Sequence, residues 1–348
     1  MFYVRVKKPD AERLKRLLVR KSLLNSEGRI KHSISYVYFP LVNEDEKIKK
    51  LIHRAGAELV GRKGKEKRAA KGFARGIERV RVGTGARVSA GYDIIGTIAI
   101  IDVGTGIGTE RTRRLARELM DENSHVETVL AKEGAVSGRY RIRRLRFVAG
   151  KRTYTTIHRE NGCSFFMDVR KTFFSPRLAY ERARIAGLSK GKERVVVMFA
   201  GVGPFVVQIA KANGKADVTG IELNRDSFGY MKRNIELNRL NNAEAVFGDV
   251  KTVARRYGDY ADRILMPLPM SSMDFIEEAL HVAKRRAVIH LYAFCKSETM
   301  GKEVVDKITG IAKKKKISVK LAGKRIVRPY SAKELEMVFD LLVDKTKQ

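Results

Sequence analysis

Arg194-Val-Val-Val-Met-Phe-Ala-Gly-Val-Gly-Pro-Phe205, followed by a short helical segment and then Val218-Thr-Gly-Ile-Glu-Leu-Asn224, is the stretch that decides the fold. Three valines in a row read as a strand buried on both faces, and the glycines that follow open it into a tight turn at the start of a helix. The next strand ends in Glu222, 19 positions beyond Gly203. An acid at that place suits two ribose hydroxyls, because a carboxylate accepts both hydrogen bonds. The helix after the turn lacks the Gly-Lys-Ser/Thr of a phosphate cradle, so a neutral or zwitterionic adenosine compound is expected over a nucleoside phosphate. Asp249, in Phe247-Gly-Asp-Val250, is placed to receive an adenine amino group.

Outward from this stretch, strands and helices alternate regularly. Strands are expected near 194–199, 217–222, 245–247, 263–266, 287–293, 317–322 and 337–343, with helices over 204–213, 226–239, 273–282 and 301–313. The closing strands have little or no crossover helix, which predicts an antiparallel last strand on a doubly wound α/β sheet. Before residue 169 the organisation changes. Phe2–Lys7, Asp10–Lys21 and Ser33–Leu41 read as strand, helix and strand of a small α/β unit over 1–60. Ten Lys and Arg against two Glu between Gly61 and Arg87 read as a basic, flexible linker, 61–88. A middle α/β domain, 89–168, is expected from strand Ile94–Val103, helix Glu110–Met120, strand His125–Leu130 and an antiparallel pair Gly138–Ala149 and Arg152–Arg159. Its Gly104-Thr-Gly-Ile-Gly108 imitates a dinucleotide fingerprint, but basic hairpin strands follow where further strand–helix units would be required, so it is set aside. The remaining 169–348 form the cofactor-binding domain.

Composition bounds the partners. The 348 residues carry 72 Lys and Arg against 39 Asp and Glu, a net charge of +33. Residues 1–190 hold 43 basic and 20 acidic side chains, an excess of 23, against 29 and 19, an excess of 10, in residues 191–348. A polyanion is the expected partner, and most of the surface for it lies outside the adenosine module. Cys163 and Cys295 form no CxxC pair, so neither a disulfide framework nor a metal site is expected. No membrane span or export signal is read, which points to a cytoplasmic protein.

Phe173-Phe-Ser-Pro-Arg-Leu-Ala-Tyr-Glu-Arg182 with Met198-Phe-Ala-Gly-Val-Gly-Pro-Phe205 resembles the archaeal and eukaryotic tRNA (guanine-37 N1)-methyltransferases. The likeness extends through Tyr92–Gly96, Thr128–Leu130, Gly138–Arg141, Ile157–Gly162 and Lys324–Val327, most of the chain. It implies a Rossmann-like methyltransferase domain behind two smaller RNA-binding domains, S-adenosylmethionine as cofactor, tRNA as partner and a monomer. It also implies that Glu181 is the general base for the N1 proton, and that Arg141 contacts the guanine O6 and stabilises its developing charge. Taken alone, Glu181 reads first as an exposed first-turn residue complementing the helix dipole after Ser175 as N-cap and Pro176 at N1, and it is the motif that makes it the base. By the same matching, Arg182 reaches the methionine carboxylate. Phe199, Gly201, Gly203, Glu222, Leu223, Asp249 and Val250 line the cofactor, while Phe173, Arg177 and Pro267 face the substrate.

The chain departs from the family pattern twice. Val197 stands where an Asp is usual, and Met266-Pro-Leu-Pro269 puts Pro267 where an Asn is usual, leaving the Pro267 and Leu268 carbonyls as expected acceptors for guanine. A related enzyme of this fold transfers the aminocarboxypropyl group of the same cofactor, but it usually shows Phe-Ser-x-Gly-Asn where this chain has Phe174-Ser-Pro-Arg-Leu178. A non-catalytic RNA-binding protein is the third reading. The N-terminal unit is expected to touch a part of tRNA distant from the anticodon.

Overall fold

The computed structural model describes residues 2–60 in part, and 91–345 apart from 104–107, 139–141, 298 and 332. The basic segment, the glycine decoy at 104–107 and Arg141 therefore lie outside the described residues. The chain divides into two compact units, residues 1–92 and 93–348.

In the first unit, β1 (Phe2–Lys7) lies between β3 (Tyr36–Leu41) and β4 (Glu58–Val60), antiparallel to both, and β2 (Lys31–His32) pairs with β3 on its other side. Val4, Val6, Phe39 and Leu41 point from the sheet onto Leu14 and Leu18, four residues apart on one helical face. This agrees with the strand and helix periods read in the sequence.

Among the described residues, the second unit holds three sheets. The expected strand Ile94–Val103 is two neighbouring strands, β5 (Gly91–Ile95) and β6 (Ile98–Asp102), joined by a turn at Gly96-Thr97. Gly96 has φ +57°, and a Cβ there would lie 2.1 Å from Thr156 Oγ1, so both the turn and its close approach require glycine. After helix α1 (Thr109–Glu122), β7 (Thr128–Ser137) runs parallel to β6 and antiparallel to β8 (Ile142–Gly150). The pairing predicted for the next segments is thus corrected. β8 joins β7, whereas β9 (Thr155–Glu160) pairs with β10 (Cys163–Asp168) in its own hairpin.

The large sheet has seven strands in the order β13-β12-β11-β14-β15-β17-β16. These are β11 (Arg194–Met198), β12 (Asp217–Glu222), β13 (Ala243–Phe247), β14 (Ala261–Met266), β15 (Ala283–Lys296), β16 (Ser318–Pro329) and β17 (Glu334–Asp344). The first five of the order are parallel, and β17 inserts antiparallel between β15 and β16. Helices α2 (Ala179–Leu188), α3 (Pro204–Ala212), α4 (Arg225–Leu237), α5 (Val250–Val253), α6 (Ile276–Val282) and α7 (Lys302–Lys314) complete the unit. Strand β11 shows why both faces must be covered. Val195 and Val197 pack into one core with Phe205, Val206 and Ile185, while Val196 and Met198 pack into the other with Ile276, Leu280 and Ile308. Val197, in the place of the family's Asp, is fully buried, and an unpaired carboxylate there would be costly.

Candidate active site

The end of β11 is built from backbone conformation. Phe199 adopts φ +57°, Gly201 +59° and Gly203 +81°, and Pro204 then opens α3 at a position where its missing N–H costs nothing. A non-glycine residue held in the left-handed region is unusual enough to mark a functional turn. A Cβ at Gly203 would come within 2.7 Å of Met231 Cγ, whereas one at Gly201 would meet only the Phe173 carbonyl oxygen, at 3.9 Å. One glycine thus serves packing and the other leaves an open face.

Three strand ends converge on that face. Ala200 N–H donates to the Ile221 carbonyl at 2.9 Å, and Gly248 N–H to the Glu222 carbonyl at 3.0 Å. The Glu222 carboxylate accepts from Gly201 N–H and from Asn224 N–H, each at 2.7 Å. Burial pushes its carboxyl above the ordinary range, against the pull of the Asn224, Gly201 and Leu223 backbone amides. Each carboxylate oxygen keeps a lone pair for a further donor, so the group fits a ribose diol. Asp249 caps α5 by accepting from Lys251 N–H at 2.9 Å. The Val250 side chain is buried, so any contact it makes to a ligand is through its backbone. Phe199 and Phe275 pack edge to face at 4.8 Å beside the turn. The residues present thus fit an adenosine compound. Asn234, fully buried, ties the turn to β10 by donating to the Val202 carbonyl at 2.9 Å and accepting from Phe166 N–H at 2.7 Å.

The Ser-Pro-Arg-Leu run enters as a 3-10 turn, Pro176–Leu178, that leads directly into α2. Ser175 makes no side-chain cap, so the expected N-cap is replaced by its carbonyl, which accepts from Leu178 N–H at 3.3 Å and from Arg182 Nη2 at 3.0 Å. Arg182 is 2% exposed and grips Glu160 with two hydrogen bonds, one of them Nη2 to Oε2 at 2.7 Å, while its guanidinium covers the Phe174 ring at 4.9 Å. This corrects the expectation that Arg182 reaches the methionine carboxylate. The guanidinium faces inward and pins the run to the β9–β10 hairpin. Burial opposes the Glu160 charge, but His158 and Arg182 outweigh it and hold its carboxyl below the ordinary range. Arg177 pairs with Asp93 of β5 at 2.6 Å, fastening the run to the middle sheet as well.

Glu181 lies in the interior, 3% exposed. Its Oε1 accepts from the Tyr292 hydroxyl at 2.8 Å and from Arg184 Nη2 at 2.7 Å, and its Oε2 from Arg184 Nε at 2.9 Å. Arg184 also reaches Asp340, Nη1 to Oδ2 at 3.0 Å. The chain continues from Asp340 to His290 Nδ1 at 2.6 Å, from His290 Nε2 to Arg263 at 2.7 Å, and from Arg263 to Glu193 at 3.0 Å. Arg263 can only donate, so Nε2 accepts and Nδ1–H donates to Asp340, which leaves the imidazole neutral. Burial pushes His290 down, outweighing Asp340. Burial also works against ionised Asp340, but His290 and Arg184 prevail and bring it to about 2. Tyr292, wholly enclosed beside Glu181, is pushed well up by burial. Its ring centroid is 5.9 Å from that of Phe205, linking this network to the helix after the glycine turn.

Phe173 lines a crevice with Ile95, Ile100, Leu145, Phe174 and Arg143, whose guanidinium stands 5.5 Å over the Phe173 ring. Burial lowers the Arg143 value, its strongest charged neighbours being Asp93, Arg328 and Arg177. Pro267 precedes a tight turn in which the Leu268 carbonyl accepts from Ser271 N–H, Ser272 N–H and Ser272 Oγ. Leu268 is therefore corrected as a guanine acceptor, its lone pairs being occupied within the loop. Sequence reasoning missed Glu160, Arg143, Arg184, Tyr292, Asp340 and His290. Among the described residues, no cluster of three or more His, Cys, Asp or Glu could hold a metal ion, and no helix is long and apolar enough to cross a membrane.

A seven-stranded sheet with one antiparallel insertion, a glycine turn after the middle of its first five, parallel strands and an acid ending the next strand in sequence define an adenosine-cofactor-dependent transferase of the Rossmann-like methyltransferase class. Residues 156–320 match the TRM5/TYW2 methyltransferase domain, and residues 4–49 the tRNA methyltransferase 5 N-terminal domain. The tRNA (guanine(37)-N(1))-methyltransferase Trm5b of Methanocaldococcus jannaschii is 32% identical over 98% of both chains. The crystal structure of Trm5b from Pyrococcus abyssi superposes with a TM-score of 0.67, at 30% identity and 99% coverage of both chains. The structure of Methanocaldococcus jannaschii Trm5 in complex with adenosine gives 0.64, at 27% identity, over 99% of this chain and 100% of that one. The chain belongs to the TRM5/TYW2 methyltransferase family.

Proposed function

We propose that this chain transfers the methyl group of S-adenosylmethionine to N1 of guanosine 37 in the tRNA anticodon loop, as a cytoplasmic monomer. The observation that carries this reading is the approach of the Phe173 carbonyl to within 3.9 Å of the Cβ position at Gly201. It sets the start of the Ser-Pro-Arg-Leu run at the open face of the cofactor turn. The cofactor, when bound, supplies an electrophilic methyl on sulfonium sulfur. Glu222 holds the ribose hydroxyls, Asp249 stands by the adenine, and the Gly201 backbone lets the ligand approach. Phe173 and Arg143 offer the guanine a ring face and a cation. Glu181 takes the N1 proton as the nitrogen lone pair forms its bond to carbon, while Arg184 stays on Asp340 and Tyr292 steadies the carboxylate. Arg141 is assigned to O6 on the resemblance alone, and Arg177 to substrate through the donors that Asp93 leaves over.

The test is transfer from S-adenosylmethionine labelled either in the methyl or in the carboxyl carbon, to tRNA carrying G37 or A37, followed by nucleoside identification. Methyl label in 1-methylguanosine, with G37 only, is expected. Carboxyl label in the RNA would instead establish aminocarboxypropyl transfer, against which the Pro176-Arg177-Leu178 run speaks, and no label of either kind would leave RNA binding without catalysis. Deleting residues 1–60 should slow transfer to full tRNA more than to an anticodon stem-loop.

A further inference from the structure

We propose that Asp340 is a positioning residue for proton uptake: by sharing Arg184 with Glu181, it keeps the guanidinium compensated at the moment Glu181 becomes neutral. The inference rests on Glu181 being the base. Its ground is a count of charge along a continuous hydrogen-bond chain. Glu181 and Asp340 are anionic and Arg184 between them is cationic, bonded to both carboxylates. Tyr292 is a neutral donor to Glu181, and His290 is neutral by its two partners. Arg263 and Glu193 cancel at the far end. These are the charged and titratable groups that α2, β14, β15 and β17 bring to the chain, together with Glu193 just before β11. They leave one carboxylate in excess.

That excess matches the reaction. When guanine N1 attacks the methyl carbon, the carbon–sulfur bond breaks toward sulfur and a neutral sulfide leaves. The N1 proton goes to a Glu181 oxygen, and the N–H electron pair stays on the guanine nitrogen. The buried set then passes from one surplus negative charge to neutrality. Were Arg184 balanced by Glu181 alone, the same step would strand an uncompensated cation in the interior, where removing one partner of a buried pair is strongly unfavourable. Asp340 meets this need because it carries its own two donors, His290 and Arg184, and does not have to move.

The test is the pH dependence of single-turnover methyl transfer by the full chain, with saturating S-adenosylmethionine and G37 tRNA. Asp340→Asn removes a negative charge, so Glu181 binds a proton less readily: the acid limb should move to lower pH by about one unit and the plateau should fall roughly tenfold. Tyr292→Phe removes a donor to the carboxylate, so the limb should move to higher pH. Asp340→Glu should keep the wild-type limb. Opposite displacements support the inference, because a residue that only supports packing changes the melting temperature without moving the limb. Unmoved limbs, or displacements in the same direction, overturn it, and if Asp340→Asn does not fold, an unmoved or lowered limb in Tyr292→Phe does so alone. Glu181→Gln in the same assay separates the layers. A wild-type rate there overturns the base itself, whereas an inactive Glu181→Gln with unmoved limbs in the other variants overturns only the role of Asp340.

Discussion

The cofactor turn and the surroundings of Glu181 are made of different materials. At the turn, function comes from backbone: three positive φ angles within five residues, and amides that hold Glu222. Around Glu181 it comes from side chains of separate elements, with Tyr292 and Asp340 lying 111 and 156 positions from their partners on α2. The difference teaches that binding an adenosine needs a local shape, whereas moving a proton in an interior needs long-range bookkeeping of charge. A change at the turn should therefore act on folding and cofactor affinity, and a change in the network on rate and on pH.

The largest expected effect is on that second side. Glu181→Gln should lower the single-turnover rate by about 10²- to 10⁴-fold, with cofactor affinity, measured by calorimetry, within about twofold of wild type. Equal loss of both would erase the contrast. Arg182→Met should cost about 3 to 5 kcal/mol in urea unfolding, since it strands the buried Glu160 carboxylate, while folded molecules keep their cofactor affinity. A selective loss of affinity would restore Arg182 to the cofactor. Gly203→Ala should destabilise by about 2 kcal/mol, because its φ of +81° is unfavourable for alanine and its Cβ meets Met231. Adding Met231→Ala should relieve only the steric part. The smallest effect concerns pH. Asp340 is held at about 2 against an ordinary 3.8, so its contribution to stability is complete above about pH 4 and is lost as pH falls through about 2. The difference in stability between wild type and Asp340→Asn should shrink over that window, by no more than about 2 kcal/mol.

What could be read from sequence follows the same division. The β11 turn, Glu222 and the alternation of the large sheet are local patterns, and they stand where the strand and glycine signals put them. Arg182 is matched to the cofactor only through the family resemblance, and its partner Glu160 could not be read because it ends a hairpin strand whose pairing the sequence does not state. The single strand expected over Ile94–Val103 missed the Gly96 turn because apolar residues continue on both sides of it. One signal for the buried network was available: His290 within Ala287–Ala293 and Asp340 within Met337–Val343 are charged or ionisable letters in otherwise apolar strands, and such groups require partners. Which partners they find depends on β17 entering antiparallel beside β15, and no local pattern carries that.

His290 and Asp340 are direct cross-strand neighbours in the β15–β17 pairing. A slip of one residue would turn Asp340 to the other face and bring Phe339 or Leu341 opposite His290, leaving Arg184 short of a carboxylate. The observed β15–β17 register thus brings all of these groups to their partners, and a slipped pairing would be penalised before any substrate arrives. The ion chain around Glu181 also proofreads the sheet.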